Sequence, residues 1–497
     1  MSSFEHADDD VLHSAGAGKK VIHGSALRGG ANLANLVFSL ATATLLLRHL
    51  GVEESGRYVT VMSLVGIAMA IVDQGLNVSA SKDLTTVARD ERRALLGNVV
   101  GQRIIVAAIA WVCLIGFALI AGYPREMVIG TALAGFGILL VAIANSVLVP
   151  LTVDLRNAGI ALVEMLRAFL FLVGVMLLVV AGAKLDAFFA LQVLIGLVVI
   201  AVVPLLVGRA GVVRPRLDRL RQRALLRTAL PIATALVLGQ IYFRLVIVLM
   251  SLMSNARQTG YFGGSLRAME ALIQLPILVA SVALPVMAAA AQKRDLARLK
   301  NVIEGLSEGA VIAGMLVILV TIRAADPVMR VIGGAEFEPA GNVLRIQVVA
   351  LLFIALYQIW TVALVSLGRQ RQLIFTNALG LLAVGIFAAA LVPPLGARGG
   401  AIASVSADIV LAGLIYWRLH VSTGRVTVRG GFLARVAIAS LAGAVVLPLP
   451  IGDIPAAVAG GIVFLAVGFA VGMVPKELRD VLGPEGLLRR GPGPEPS

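Results

Sequence analysis

The chain alternates long apolar runs with short polar breaks. Runs nearly free of charge, bounded by Gly, Pro or charged residues, predict helices near residues 26–47, 57–80, 97–121, 127–150, 159–182, 186–208, 230–253, 261–290, 302–322, 344–367, 372–393, 398–417, 432–450 and 455–474. Most have about 20 residues or more, which a helix rising 1.5 Å per residue needs to cross a hydrocarbon core of roughly 30 Å. The pattern predicts an all-α polytopic membrane protein of about fourteen transmembrane helices. The longest polar break, a basic linker over 209–229, separates a first lobe of six helices (24–208) from a second (230–417). Two further helices occupy 418–474, and polar tails lie at 1–23 and 475–497.

Composition strengthens this picture. The hydrophobic set makes up 59% of the residues and charged side chains 14%, against about 45–50% and about 25% in soluble domains. A water-facing exterior cannot be built from that. The first 22 residues hold no apolar core and no small-residue cleavage pattern, so the N-terminus is expected to stay in the cytosol. Cys113 is the single cysteine, which excludes an intrachain disulfide and multi-cysteine metal sites.

Charge sets the orientation. With a cytosolic N-terminus and an even helix count, 29 of the 42 basic residues fall on the cytosolic side, 9 on the opposite side and 4 within helices. That asymmetry is the positive-inside pattern, with both termini cytosolic. The net charge of +14 is then explained by topology and anionic lipid, with no need for nucleic acid. The halves also echo each other. The first predicted helix runs into Gly56-Arg57-Tyr58 and the seventh into Thr259-Gly260-Tyr261. Repeats with an even number of helices would sit the same way up in the membrane, as two bundles flanking a cavity.

Charged side chains at membrane depth are expensive, at least about 2.5–3.5 kcal/mol each, and must face protein or water. They are Arg103, Glu164, Arg167, Arg244, Arg267, Glu270 and Asp408, with Arg28 and Asp73 nearer the cytosolic boundary. Arg28, Asn32 and Asn35 share one face of the first helix; Arg267, Glu270 and Gln274 share one face of the eighth. Tyr242 and Arg244 lie two positions apart, on different faces. Converging stripes of this kind would line a cavity suited to a phosphate or pyrophosphate, which arginine binds through its forked donors. Other readings stand beside this one. Glu164 with Arg167 and Arg267 with Glu270 have the spacing of intrahelical ion pairs. Arg28 and Arg103 could snorkel to headgroups, and Asn32 and Asn35 could bond a neighbouring helix. Asp73 could be a helix cap, and Asp408 could pair with an arginine. Arg244 is too deep to snorkel. The five histidines offer no metal-ligand spacing and no Gly-rich phosphate loop is present, so the sequence predicts movement of a substrate rather than chemistry on it, without a cofactor or metal.

Three stretches carry a family resemblance: LLLRHLGVEESGRYVTVMSLVGIAMAIVDQGL (45–76), TGYFGGSLRAMEALIQLP (259–276) and DPVMRVIGGAEFEPAGNVLRI (326–346). Together they resemble the polysaccharide flippases of the MOP (multidrug, oligosaccharidyl-lipid, polysaccharide) exporter superfamily, over roughly residues 24–480. The resemblance implies a MOP/MATE-like transporter that moves undecaprenyl-pyrophosphate-linked oligosaccharide across a bacterial inner membrane by alternating access. It implies that Arg244 and Arg267, with Arg28 and Arg103, hold the pyrophosphate and sugar acids. Tyr242, Asn32, Asn35 and Gln274 would join them in the cavity. It further implies that Asp73, Glu164 or Glu270 couples transport to protons or sodium, with a polysaccharide polymerase as a partner; Asp408, as a carboxylate inside an apolar run, could also carry a proton or an ion. A lipid II flippase shares these features. A multidrug antiporter fits less well, because its first helix usually carries a carboxylate and this one carries Asn32 and Asn35.

Overall fold

A computed structural model describes residues 15–86, 89–153, 157–207, 215–424 and 430–473. The predicted tails lie mostly outside the described residues, as does part of the 209–229 linker. The side chains of Arg28, Asn32 and Asp73 also lie outside them.

Among the described residues there are twelve α-helices and no strand. They are α1 (Ala15–Thr86), α2 (Arg89–Ile120), α3 (Arg125–Val153), α4 (Asn157–Val180), α5 (Leu185–Val207), α6 (Arg219–Met253), α7 (Ala256–Gln292), α8 (Leu296–Gly333), α9 (Ala340–Ser366), α10 (Gln370–Thr423), α11 (Gly430–Val446) and α12 (Asp453–Ala470). A 3-10 turn, Ala335–Phe337, precedes α9. Ten of these helices are long and apolar enough to cross a membrane. The reason is physical: in hydrocarbon each backbone N–H and C=O must be satisfied within its own segment, which a helix does. The outward side chains agree, since Ile120, Val180 and Val445 stand exposed on helices that water could not solvate.

The two longest helices are each broken inside. α1 changes direction at Gly51 (φ 68°, ψ −175°) and α10 at Gly396 (φ 56°, ψ −128°). A positive φ of this kind crowds a β-carbon against the backbone, so glycine holds both bends. The first bend falls between the predicted helices 26–47 and 57–80, and the second between 372–393 and 398–417.

Packing divides the chain into two units. The first contains Met1–Arg267, Ile332–Glu336 and Val384–Gly400; the second contains Ala268–Val331, Phe337–Ala383 and Ala401–Ser497. In the first unit α3 packs on α5, and α1 packs on α6, α4 and α3. Small residues allow this closeness: Gly137 sits against the backbone of Gln192, while Tyr58 stacks on Phe189 with ring centroids 5.5 Å apart. The α2–α3 loop is tied down by Tyr123, 2.6 Å from Ser251 Oγ. Ser251 already donates to the Val248 carbonyl, so the tyrosine hydroxyl is the donor in that pair. Burial pushes the Tyr123 phenol above its ordinary pKa, and its bond to Ser251 opposes that only in part.

α1 and α7 meet backbone to backbone. A β-carbon on Gly56 would collide with the Ala256 carbonyl, and one on Gly260 would collide with the Val52 carbonyl. Each glycine lies four positions after the residue that faces the other, so the contact is reciprocal. It joins the two Gly-Tyr segments in which the sequence shows its internal echo.

The second unit has its own core. Val311, Leu319, Phe432, Val436, Ala439 and Phe464 pack together, bringing α8 against α11 and α12. Trp360 donates its indole N–H to Ser307 (3.1 Å) and tilts onto Tyr416 at 5.2 Å. At the other end of α8, Arg345 binds Asp326 at 2.6 Å and the Ile322 carbonyl at 2.9 Å.

Candidate functional site

The deep charges fall in different settings. Arg244, half-buried on α6, lies over Gly66 of α1: an ideal β-carbon on Gly66 would stand 2.6 Å from Arg244 Nε and 2.7 Å from Cζ. The guanidinium therefore occupies the space that the missing side chain leaves. Gly66 is near the middle of the second arm of α1, so the guanidinium lies against a backbone surface. Tyr242, two positions earlier, is 8% exposed and belongs to the packed interior of the first unit.

Arg267 is half-buried at the end of the first unit, and its charge acts on Tyr58 of α1. Tyr58 is buried, stacked on Phe189 and hydrogen-bonded to Gln192. Arg244 and Arg267 are thus both set against the second arm of α1, at positions two turns apart. That arm supplies a tyrosine to one arginine and a gap to the other.

Arg103 is different. It is 0% exposed, and its guanidinium donates to Ser146 Oγ at 3.0 Å and toward the Ala142 carbonyl at 3.4 Å. Ser146 also donates back to Ala142. This places Arg103 inside the α2–α3 packing, not at the headgroups, and the carbonyl and hydroxyl of one turn of α3 compensate part of its desolvation. Asn35 is half-buried, with a buried Oδ1 that lacks a hydrogen-bond partner among the described residues. Glu164 and Gln274 are exposed, as is Arg167; Glu270 is half-buried in the second unit. Asp408 is 5% exposed, and its charge reaches Tyr357. Among the described residues no group of three or more His, Cys, Asp or Glu is placed to hold a metal ion.

Gly66, Gln192 and Ser146 are participants that the sequence reading passes over. None is charged, and each acts only by what stands opposite it.

A likeness to solved structures accompanies this geometry. The fold resembles a lipid II flippase, MurJ, in an inward closed conformation, with a TM-score of 0.72 and 14% identity, covering 92% of this chain and 99% of that one. It resembles a multidrug resistance MATE family transporter of the MOP superfamily in an inward-facing conformation, with a TM-score of 0.62, 14% identity, and 79% and 95% coverage. A Vibrio cholerae MATE transporter follows at 0.52 and 13% identity, with 80% and 97% coverage. At such identities the likeness establishes the fold. No curated protein sequence matches the chain. The family model described as polysaccharide biosynthesis protein matches residues 21–291, more than half of the chain. Over more than half of its length the chain belongs to the polysaccharide biosynthesis protein family, on a fold like that of the flippase and MATE structures above.

Proposed function

We propose that this protein is a flippase that carries a prenyl-pyrophosphate-linked glycan across a bacterial inner membrane by alternating access. The observation that carries the reading is Arg244 lodged over Gly66, an arginine set within apolar helices against the second arm of α1, where a forked cation suits a phosphate. Arg267 beside Tyr58 supplies a second cation on the same arm of α1. Together the two suit a pyrophosphate, with the sugar meeting tyrosine and glutamine and the prenyl tail left in lipid. The topology we propose has fourteen crossings, each arm of the broken α1 and α10 counting as one. They form lobes at 24–208 and 230–417 followed by 418–474, with both tails in the cytosol. Asp408, buried near Tyr357, leads the set of coupling carboxylates, with Asp73, Glu164 and Glu270 behind it. A glycan polymerase is the proposed partner.

Two cargoes compete. The likeness to the lipid II flippase, which covers almost the whole of both chains, favours the peptidoglycan precursor. The family description favours a linked oligosaccharide for surface polysaccharide. Drug efflux has less support, since the first arm of α1 carries no carboxylate in its apolar part. Mass spectrometry of prenyl-pyrophosphate glycans from depleted cells, with wild type or Arg244→Ala supplied back, tests all three. Accumulation of lipid II that only wild type clears supports the first cargo, and accumulation of a different linked oligosaccharide supports the second. An unchanged lipid pool removes the flippase reading.

A further inference from the structure

α10 is folded back at Gly396, and its two ends come together: Arg369, the residue that caps its start, donates to Ser422 Oγ at 2.7 Å. Between that contact and the body of the unit, Arg418 lies over two aromatic rings, 4.6 Å from the centroid of Trp417 and 5.3 Å from that of Phe375. Both rings are exposed, as an aromatic belt at a membrane interface is. Arg418 Nε is buried and has no hydrogen-bond partner among the described residues, and Gln372 Oε1, one turn before Phe375, is in the same condition. No acidic residue occurs from 367 to 425 except Asp408, ten positions before Arg418 and about 15 Å away along the helix. Arg371 is exposed beside this group, and the free N–H groups at the start of α10 add positive potential.

We propose that this end of α10 is a binding site for the headgroup of an anionic phospholipid of the surrounding bilayer. The two rings flank the Arg418 guanidinium and partly desolvate it, which strengthens its attraction for a phosphate, and Arg369 supplies a second cation. A glycerol headgroup also brings hydroxyl donors, which the unpartnered carbonyl of Gln372 can accept. The rings themselves meet the acyl chains just below the phosphate. Positive-inside counting puts this end on the cytosolic leaflet, where anionic lipid and basic interhelical sites coincide. The proposal does not depend on which glycan is carried, since it uses neither Arg244 nor Arg267.

The test is native mass spectrometry of the full chain released from detergent after titration with dioleoyl phosphatidylglycerol or dioleoyl phosphatidylcholine. Wild type is expected to retain one phosphatidylglycerol more tightly than phosphatidylcholine, and Arg418→Gln with Arg369→Gln to weaken that retention about tenfold while leaving phosphatidylcholine unchanged. Thermal unfolding without added lipid checks the fold. If the double variant melts early, Arg369→Gln with Trp417→Leu, both at exposed positions, carries the same expectation. Equal phosphatidylglycerol retention in wild type and a folded variant overturns the proposal. So does displacement of phosphatidylglycerol by equimolar undecaprenyl phosphate, which would assign the site to the prenyl carrier instead.

Discussion

Arg244 on α6 and Gly66 on α1 share one volume: the guanidinium stands where a side chain on Gly66 would begin. The arginine is the flexible partner, so a methyl group at Gly66 displaces the charge before it disturbs the helices. Gly66→Ala is therefore expected to impair clearance of the linked glycan nearly as much as Arg244→Ala. Its melting temperature in detergent should stay close to wild type, whereas Gly66→Leu should lower it as well. Normal glycan clearance by Gly66→Ala would separate this contact from transport.

The crossing of α1 and α7 has no flexible partner, because each β-carbon would meet a carbonyl. Gly56→Val or Gly260→Val must push the helices apart, at a cost of about 1–3 kcal/mol by the usual range for overpacking. Thr259 is fully buried beside this crossing. In a Cys113→Ala background, Thr259→Cys is expected to resist a membrane-impermeant maleimide added outside cells and to become reactive when Gly56→Val is added. Equal reactivity with and without Gly56→Val would show that the crossing does not close over that position.

Arg103 stabilises the fold through Ser146 and the carbonyl of Ala142. Arg103→Met should remove a charge-assisted hydrogen bond of about 1.5–3 kcal/mol, and Ser146→Ala should cost about 1 kcal/mol. The double variant should cost less than their sum, since the residues share one contact. Thermal unfolding of the purified variants measures all three. Strict additivity would mean that the hydrogen bond contributes nothing.

Tyr123 offers a pH readout outside the membrane-spanning segments. Its phenol is raised above the ordinary value by burial, so the folded state favours the neutral form. The stability this contributes is fully present below the ordinary phenol pKa and is lost as pH rises through the raised one. Wild type should consequently lose more thermal stability than Tyr123→Phe over that alkaline interval, while both behave alike near neutrality. Parallel curves would show that the hydroxyl is not held as described.

The apolar runs made the helical architecture legible, because chain length against bilayer thickness leaves few alternatives, and both internal bends fall at glycines in the predicted gaps. The charge of Arg244 inside an apolar run was visible in the sequence too. Its setting was not: Gly66 has no side chain to signal a role, and its partner is remote in sequence. Arg103 shows the same limit from the other direction. A charge can be found by counting, but whether it reaches headgroups, lines a cavity or sits inside packing depends on an unremarkable serine on another helix. The Tyr58–Gln192 pairing was hidden for the same reason.

The reciprocal contact between Val52-to-Gly56 and Ala256-to-Gly260 makes the two hairpins interlock like a pair of identical teeth. Neither glycine can leave its facing carbonyl while the other stays seated without bending a helix, because both contacts are made by main chain within about one turn. Parting at this point is thus a single cooperative event, and a fault in either tooth has the same effect as a fault in its twin.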